Sequence, residues 1–139
     1  IYYQVNATYY SALGESDSKM LLARAIQMFM PGKPQVWYLD LFAGKNDHEA
    51  VRRAGESGHK EINRTNLSAS DIGEALKKDV VTKQLELLRM RNTHKAFEKG
   101  AVITVAEEGS KLSIRYDNDG AYALLTVDFE AGAYEIELS

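Results

Sequence analysis

The sequence has 139 residues, enough for one domain with a substantial core, and its 45% hydrophobic and 27% charged residues are typical of a globular protein rather than a disordered one. A net charge of −3 disfavours a general nucleic-acid-binding protein, and the absence of cysteine excludes disulfides and thiolate chemistry. The chain contains no apolar run long enough to cross a membrane.

Charge and hydrophobic period both change near residue 99. Residues 1–100 carry fifteen basic and twelve acidic side chains, whereas residues 101–139 carry two basic and eight acidic ones. The hydrophobic spacing changes at the same place from a helical period to alternation. We therefore predict two domains, a mostly helical part over residues 1–98 and a small β domain over residues 99–139.

The first thirteen residues hold four of the eight tyrosines and no charged side chain. Their pattern fits neither a helix nor a strand, so we predict a buried or cleft-lining loop. Tyr3, Gln4 and Asn6 combine aromatic rings with amides, as sugar-binding pockets do. Packing of Tyr9 and Tyr10 in the core is an equally good interpretation from composition alone.

A helix and an apolar strand are predicted next. Ser16 or Asp17 can cap a helix over residues 16–30, which Pro31 and Gly32 end. Residues 34–42 are almost continuously apolar, as a parallel strand covered on both faces requires. The region has one such strand, so its neighbours must come from another chain or from sequence upstream. Asp40 within it needs a partner.

Residues 43–67 are polar, which indicates a functional loop or a disordered one. Asp47 and Glu49 follow the predicted strand, and we interpret them as solvated charges near Lys45 and Arg52. The cations and amides of residues 60–64 suit phosphate or sugar hydroxyls, and a surface ion-pair cluster is the commoner explanation. The three histidines show no metal-ligand spacing, so no metal site is predicted.

Two more helices and a β meander complete the prediction. Ser68 and Asp71 form a capping box that opens a helix through residue 78. A second helix from Asp79 to about residue 94 has an expected buried stripe at Val81, Leu85, Leu88 and Asn92, widened by Val80, Leu87 and Met90. Alternating segments at 101–106, 111–116, 121–129 and 133–138 predict four strands, with one packed face that includes Leu125, Val127 and Phe129.

Three stretches of the chain closely resemble one enzyme family. They are YYQVNATYYSALG at 2–14, LLARAIQMFMPGKPQVWYLDLFAGKND at 21–47, and EINR at 61–64, and the likeness continues through 79–97. The family is that of sucrose phosphorylase and its relatives, glucoside phosphorylases of the α-amylase superfamily, glycoside hydrolase family 13. The resemblance implies an α/β fold: a C-terminal fragment of a (β/α)8 barrel, with residues 34–42 as the last strand between flanking helices, followed by a small antiparallel β domain.

The family reaction transfers glucose from an α-glucoside such as sucrose to phosphate and gives α-glucose 1-phosphate. It uses two carboxylates through a covalent intermediate, and the resemblance places them upstream of residue 1, so this chain alone is expected to be inactive. Inorganic phosphate is the co-substrate, and neither a cofactor nor a metal is expected. The implied substrate-binding residues of this chain are Tyr3, Gln4, Lys60 and Arg64.

Two departures from the family pattern bear on specificity. Lys60 stands where the family has a glucose-binding arginine, which keeps the charge and loses the bidentate guanidinium. Ile1 stands where sucrose phosphorylases have an aspartate, which leaves the acceptor open among fructose, fructose 6-phosphate, glycerol and glycerate.

Two other functions stay open at this point. One is an α-glucosidase or transglucosidase of the same superfamily, and the other is a non-catalytic carbohydrate-binding or assembly module. The expected partners are a sugar and phosphate, with no nucleic acid and no membrane, in a cytoplasmic enzyme. Because the apolar residues 34–42 would be exposed without neighbours, we expect the chain to self-associate or to pair with the rest of the barrel.

Overall fold

A computed structural model describes residues 5–139. The α-helices are α1 (Tyr9–Ala12), α2 (Asp17–Phe29), α3 (Tyr38–Leu41), α4 (His48–Ala54), α5 (Ala69–Ala75) and α6 (Asp79–Thr93). Two 3₁₀ segments cover Gly55–Asn63 and Lys95–Phe97. The strands are β1 (Val102–Glu108), β2 (Lys111–Asn118), β3 (Ala121–Asp128) and β4 (Ala133–Leu138). Within residues 5–139, every helix is too short or too polar to traverse a lipid bilayer.

The N-terminal segment is not the loop that the sequence predicts, because it contains α1. The Thr8 hydroxyl caps this helix by accepting the Ser11 N–H at 3.1 Å. Tyr9 is 40% exposed, and the half-buried Tyr10 donates its hydroxyl to Asp17 at 2.8 Å, which raises the pKa of Tyr10. Core packing is therefore the wrong interpretation of these two tyrosines.

The predicted strand at residues 34–42 is also absent from the structure. Residues 34–37 have no regular secondary structure, and α3 follows directly. A strand exists only when a neighbour accepts and donates its backbone hydrogen bonds, and the described residues supply no parallel neighbour for this segment. The apolar pattern indicates burial, and Leu39 is indeed buried. A short apolar run does not by itself distinguish a strand from a helix.

Residues 43–67 are mostly helical, which corrects the prediction of a long loop. The Asp47 carboxylate opens α4 by accepting the Ala50 N–H at 2.8 Å, and Gly55 ends the helix with a φ of 72°. The 3₁₀ segment follows at once. The sequence has few apolar residues here, so its hydrophobic period gives little sign of these two helical elements.

Helices α2, α5 and α6 lie where the sequence predicts them, but the predicted buried residues agree with the structure only in part. Ser68 and Asp71 form the predicted capping box of α5. Helix α2 is confirmed, with Met20, Ala25, Met28 and Phe29 buried. The predicted stripe of α6 is confirmed at Val80, Val81 and Leu87. It is wrong at Leu85, which is 37% exposed, and it omits the buried Gln84. Arg24 of α2 donates its Nε to Gln84 Oε1 at 2.8 Å, and this bond satisfies the buried amide.

The four predicted strands are confirmed as an antiparallel sheet in the order β1-β2-β3-β4. Ile114 pairs with Leu125, and Leu125 pairs with Ile136, so the expected alternation places these residues on one face. Phe129 does not share it: the residue lies beyond the end of β3 and is 54% exposed. Every residue of β1 is exposed, as expected for an edge strand that its neighbours cover poorly.

An aromatic cluster joins the sheet to α2. The rings of Phe29 and Phe97 lie 5.2 Å apart, and those of Phe97 and Tyr116 lie 4.9 Å apart. The Tyr116 hydroxyl donates to the Phe29 carbonyl at 3.0 Å. Arg91 lies over Phe97 and donates to the Gly32 carbonyl, so the same cluster also binds the turn that follows α2.

The chain divides into two compact units, each built from two stretches. The first comprises residues 1–20 and 35–83, and the second comprises residues 21–34 and 84–139. The second unit contains the sheet and the aromatic cluster. The domain boundary between residues 98 and 99 stays a prediction.

Candidate functional site: a polar cavity in the first unit

The first unit contains a cavity of about 240 Å³ that brings two predicted binding residues together. Its lining residues are Asn6, Trp37, Lys60, Asn63 and Arg64. The other two predicted residues, Tyr3 and Gln4, lie outside the described part of the chain. Amides and cations around an aromatic ring can donate hydrogen bonds to sugar hydroxyls or phosphate oxygens, so the cavity suits a polar, anionic or sugar-like ligand.

Side-chain hydrogen bonds hold the N-terminal segment that carries Asn6. The Thr8 N–H donates to Asn46 Oδ1 at 2.7 Å, and the Asn46 N–H donates to Ser11 Oγ at 3.0 Å. The Tyr9 N–H donates to Asp40 Oδ1 at 2.6 Å. Asp40 thus has the structural partner that its place in an apolar segment led us to expect. These bonds fasten the segment to residues 40–46.

The segment that carries Lys60 and Arg64 is held along its whole length. The Asp47 N–H donates to the Ile62 carbonyl at 2.8 Å, and the Trp37 indole N–H donates to the Asn63 carbonyl at 3.0 Å. Asn63 Nδ2 in turn donates to the Ala7 carbonyl at 3.2 Å. These three bonds join the segment to α4, to residues 34–42 and to the N-terminal segment.

The cavity carries an excess of positive charge. Arg64 Nη1 lies 3.4 Å from Glu61 Oε1, a distant and exposed ion pair that leaves the guanidinium open to other acceptors. Lys60 has no ion-pair partner among residues 5–139. The commoner explanation for residues 60–64, a surface ion-pair cluster, therefore describes Arg64 and Glu61 but not Lys60.

The nearby carboxylates have structural partners. Asp47 caps α4, and the Ala50 N–H holds the pKa of Asp47 below its usual range. Glu49 pairs with Arg52, and the Lys45 ammonium 2.6 Å from Glu15 lowers the pKa of that carboxyl. No described residue that lines the cavity is a carboxylate. The cavity as described can bind and orient a ligand, and it offers no acid or nucleophile of the kind that glycosyl transfer needs.

Trp37 is the lining residue that sequence reasoning assigned to the wrong environment. Its place in an apolar run predicted a buried side chain on a strand that is covered on both faces. In the structure, Trp37 is 49% exposed and its ring lies beside that of Tyr38. The only local sign was an indole N–H, which needs an acceptor when it is partly buried. Asn6 lies in the tyrosine-rich segment and Asn63 in the polar segment that the sequence marked as candidate binding segments, but nothing in the sequence placed the two residues in one site.

Gly58 is a required glycine two residues before Lys60. A Cβ at Gly58 would lie 2.4 Å from the Ala54 Cβ and 3.0 Å from the Val51 carbonyl oxygen, neither of which can move independently of the backbone. We expect Gly58→Ala to destabilise the protein by about 1–3 kcal/mol, because the overlap must displace the 3₁₀ segment from α4. The measurement is the urea midpoint of unfolding.

The matched control is Gly73→Ala in α5, where a Cβ would meet no atom within 4 Å. Alanine is the better helix former, so this variant should be as stable as the parent or gain up to about 1 kcal/mol. Equal unfolding midpoints for the two variants would contradict the tight packing at Gly58.

Comparison with known proteins identifies relatives along nearly the whole chain. No protein-family model matches it. It is 55% identical over 135 residues to a sucrose 6(F)-phosphate phosphorylase from Ilumatobacter coccineus, covering 97% of this chain and 26% of the relative. It is 39% identical over 130 residues to a sucrose phosphorylase from Bifidobacterium adolescentis, and this match covers 94% of this chain and 25% of the relative. The crystal structure of sucrose 6F-phosphate phosphorylase from Thermoanaerobacter thermosaccharolyticum matches with a TM-score of 0.90 at 39% identity, over 97% of this chain and 27% of that one.

These matches confirm the resemblance inferred from the sequence. Along nearly its whole length, the chain is similar to the C-terminal region of sucrose phosphorylases and sucrose 6(F)-phosphate phosphorylases. It spans about a quarter of the length of these relatives. The four-stranded antiparallel sheet and the helices before it are the part of the fold that the two structures share.

Proposed function

We propose that this chain is the C-terminal part of a retaining glucoside phosphorylase. The parent enzyme transfers glucose from sucrose 6-phosphate, or from sucrose itself, to inorganic phosphate and releases α-glucose 1-phosphate. The observation that carries this proposal is the 55% identity to a sucrose 6(F)-phosphate phosphorylase over nearly the whole chain.

The order of the relatives favours the phosphorylated donor. Identity is 55% over 97% of this chain to the sucrose 6(F)-phosphate phosphorylase from Ilumatobacter coccineus, against 39% to 42% over 86% to 99% of it to three sucrose phosphorylases. Ile1, in place of the aspartate that the family resemblance leads us to expect, removes a negative charge that would repel a phosphate group. Both observations support a donor with a phosphorylated fructose.

In this proposal the cavity is the part of the sugar site that this chain contributes. Lys60 and Arg64 supply cationic donors to hydroxyl or phosphate oxygens, and Tyr3 and Gln4 are substrate-binding residues by the family resemblance. The catalytic carboxylates come from the part of the parent that precedes residue 1. No cofactor and no metal takes part, and phosphate is the second substrate.

The rest of the proposal concerns the whole protein. Residues 1–98 belong to its (β/α)8 barrel domain, and the enzyme acts in the cytoplasm. The isolated chain pairs with the rest of the barrel or self-associates, which is supported by the exposure of Trp37, Val102 and Val105. Light scattering of the isolated chain tests this last point, and a stable monomer would contradict it.

The direct test is phosphate dependence of the parent enzyme. Purified parent protein is incubated with sucrose 6-phosphate or sucrose, with and without inorganic phosphate, and products are separated by anion-exchange chromatography. We expect glucose 1-phosphate only with phosphate present, and faster turnover of the phosphorylated donor. Free glucose as the main product in both cases would instead indicate a hydrolase of the same superfamily.

A further inference from the structure

We infer that Trp37 is a positioning residue for Lys60 and Arg64, acting through the carbonyl group of Asn63. The inference rests on the proposed function, since it names a residue that sets the affinity of the same site. Neither the relatives' names nor the sequence resemblance assigns a role to Trp37.

The hydrogen bond from Trp37 lies at the end of the 3₁₀ segment. Asn63 is the last residue of the 3₁₀ segment, and the carbonyls at the end of such a segment have no partner within it. The Trp37 indole N–H supplies the missing donor at 3.0 Å, from a residue 26 positions earlier in the chain. Trp37 thus bonds to the Asn63 carbonyl, while the Arg64 N–H closes the last turn by donating to the Glu61 carbonyl at 3.3 Å.

The two cationic residues of the cavity, Lys60 and Arg64, lie on either side of Asn63 in the chain. Lys60 precedes it by one 3₁₀ turn, Arg64 follows it directly, and both line the cavity together with Trp37 itself. A displacement of this end of the 3₁₀ segment would therefore move both cationic side chains relative to the indole ring. Lys60 has no ion pair among residues 5–139 to hold it otherwise.

Asn63 also forms a hydrogen bond with the N-terminal segment. Its Nδ2 donates to the Ala7 carbonyl, next to the cavity residue Asn6. Trp37 therefore stabilises one end of a chain of bonds that continues to the segment carrying Asn6. Its removal should loosen the cavity on two sides, while the compact unit that contains the sheet keeps its own hydrogen bonds.

The test is Trp37→Phe in the parent enzyme, which removes the N–H and keeps an aromatic ring. We expect KM for the glucosyl donor to rise roughly 3- to 10-fold, as the loss of one neutral hydrogen bond allows, while kcat changes less than about twofold. Calorimetric binding of glucose to the parent protein should weaken by a similar factor. If Trp37→Phe does not fold, Trp37→Met makes the same test, because it also removes the N–H and keeps an apolar side chain.

Tyr116→Phe is the matched control, because it also deletes a bond from an aromatic side chain to a main-chain carbonyl, that of Phe29. It lies in the other compact unit and should lower the melting temperature without changing KM. An unchanged KM in Trp37→Phe, or an equal change in both variants, would overturn the inference.

The two proposals fail in different ways. If the parent makes no glucose 1-phosphate but still binds glucose more tightly than its Trp37→Phe variant, the proposed reaction is wrong and the positioning role stands. If the parent phosphorolyses its donor and Trp37→Phe binds glucose as tightly as the unaltered protein, the positioning role alone is wrong.

Discussion

Replacing Lys60 with methionine in the parent enzyme is expected to lower kcat/KM for the glucosyl donor by roughly 10- to 150-fold. The change removes the charge and keeps the length of the side chain. A hydrogen bond from a charged group contributes about 1.5–3 kcal/mol, and each 1.36 kcal/mol is a factor of ten in rate. Lys60 lines the cavity with no ion pair among residues 5–139, so its charge is available to a ligand. Steady-state kinetics at saturating phosphate measure the effect.

Two further variants make this result specific. Lys60→Arg installs the residue that the family resemblance leads us to expect there, and it should retain most of the activity. Lys45→Met removes an exposed cation that pairs with Glu15 and does not line the cavity, and it should behave like the unaltered enzyme. Equal losses in Lys60→Met and Lys45→Met would show that net charge, rather than the cavity, causes the effect.

Replacing Phe29 with alanine is expected to lower the free energy of unfolding by about 3–5 kcal/mol. Phe29 has no exposed surface, and its ring lies edge-on to Phe97 at 5.2 Å and near Tyr116 at 6.1 Å. Truncation would leave a cavity where α2 meets the sheet and would remove these aromatic contacts. Urea unfolding followed by circular dichroism measures the loss.

Phe129→Ala is the matched control, because the same chemical change is made where the side chain is 54% exposed. We expect a loss below about 1 kcal/mol there. The pair is informative because the hydrophobic pattern predicts burial for both residues. A Phe129→Ala variant as unstable as Phe29→Ala would mean that another surface covers Phe129.

Sequence reasoning succeeded where neighbouring residues supply the deciding interaction. The capping box of Ser68 and Asp71 closes within four residues, and the period of α2 places its buried side chains on one face. The strands of the meander alternate and are joined by turn residues, so each strand pairs with the next one along the chain. Such signals are complete within a short window.

Predictions from the sequence were wrong where a residue distant in the chain determines whether a side chain is buried. Gln84 appears as a polar residue outside the stripe of α6, yet Arg24, sixty positions earlier, satisfies its amide in the interior. Phe129 continues an alternating pattern, but the chain turns away one residue before it. Burial depends on what covers a residue, and the pattern of one segment does not report that.

The sequence by itself determined the resemblance to sucrose phosphorylases, the helix starts at Ser16/Asp17 and Ser68, and the four strands. It also marked the tyrosine-rich segment that contains Asn6 and the polar segment that contains Lys60. Only the tertiary structure decided that residues 34–42 carry a short helix, that residues 48–63 are helical, and that Trp37 faces the same cavity as Lys60 and Asn6. The bonds that assemble this cavity join Trp37 to Asn63 across 26 positions and Asn63 to Ala7 across 56. Local propensity acts over a few residues, whereas these contacts form only once the chain has folded back on itself.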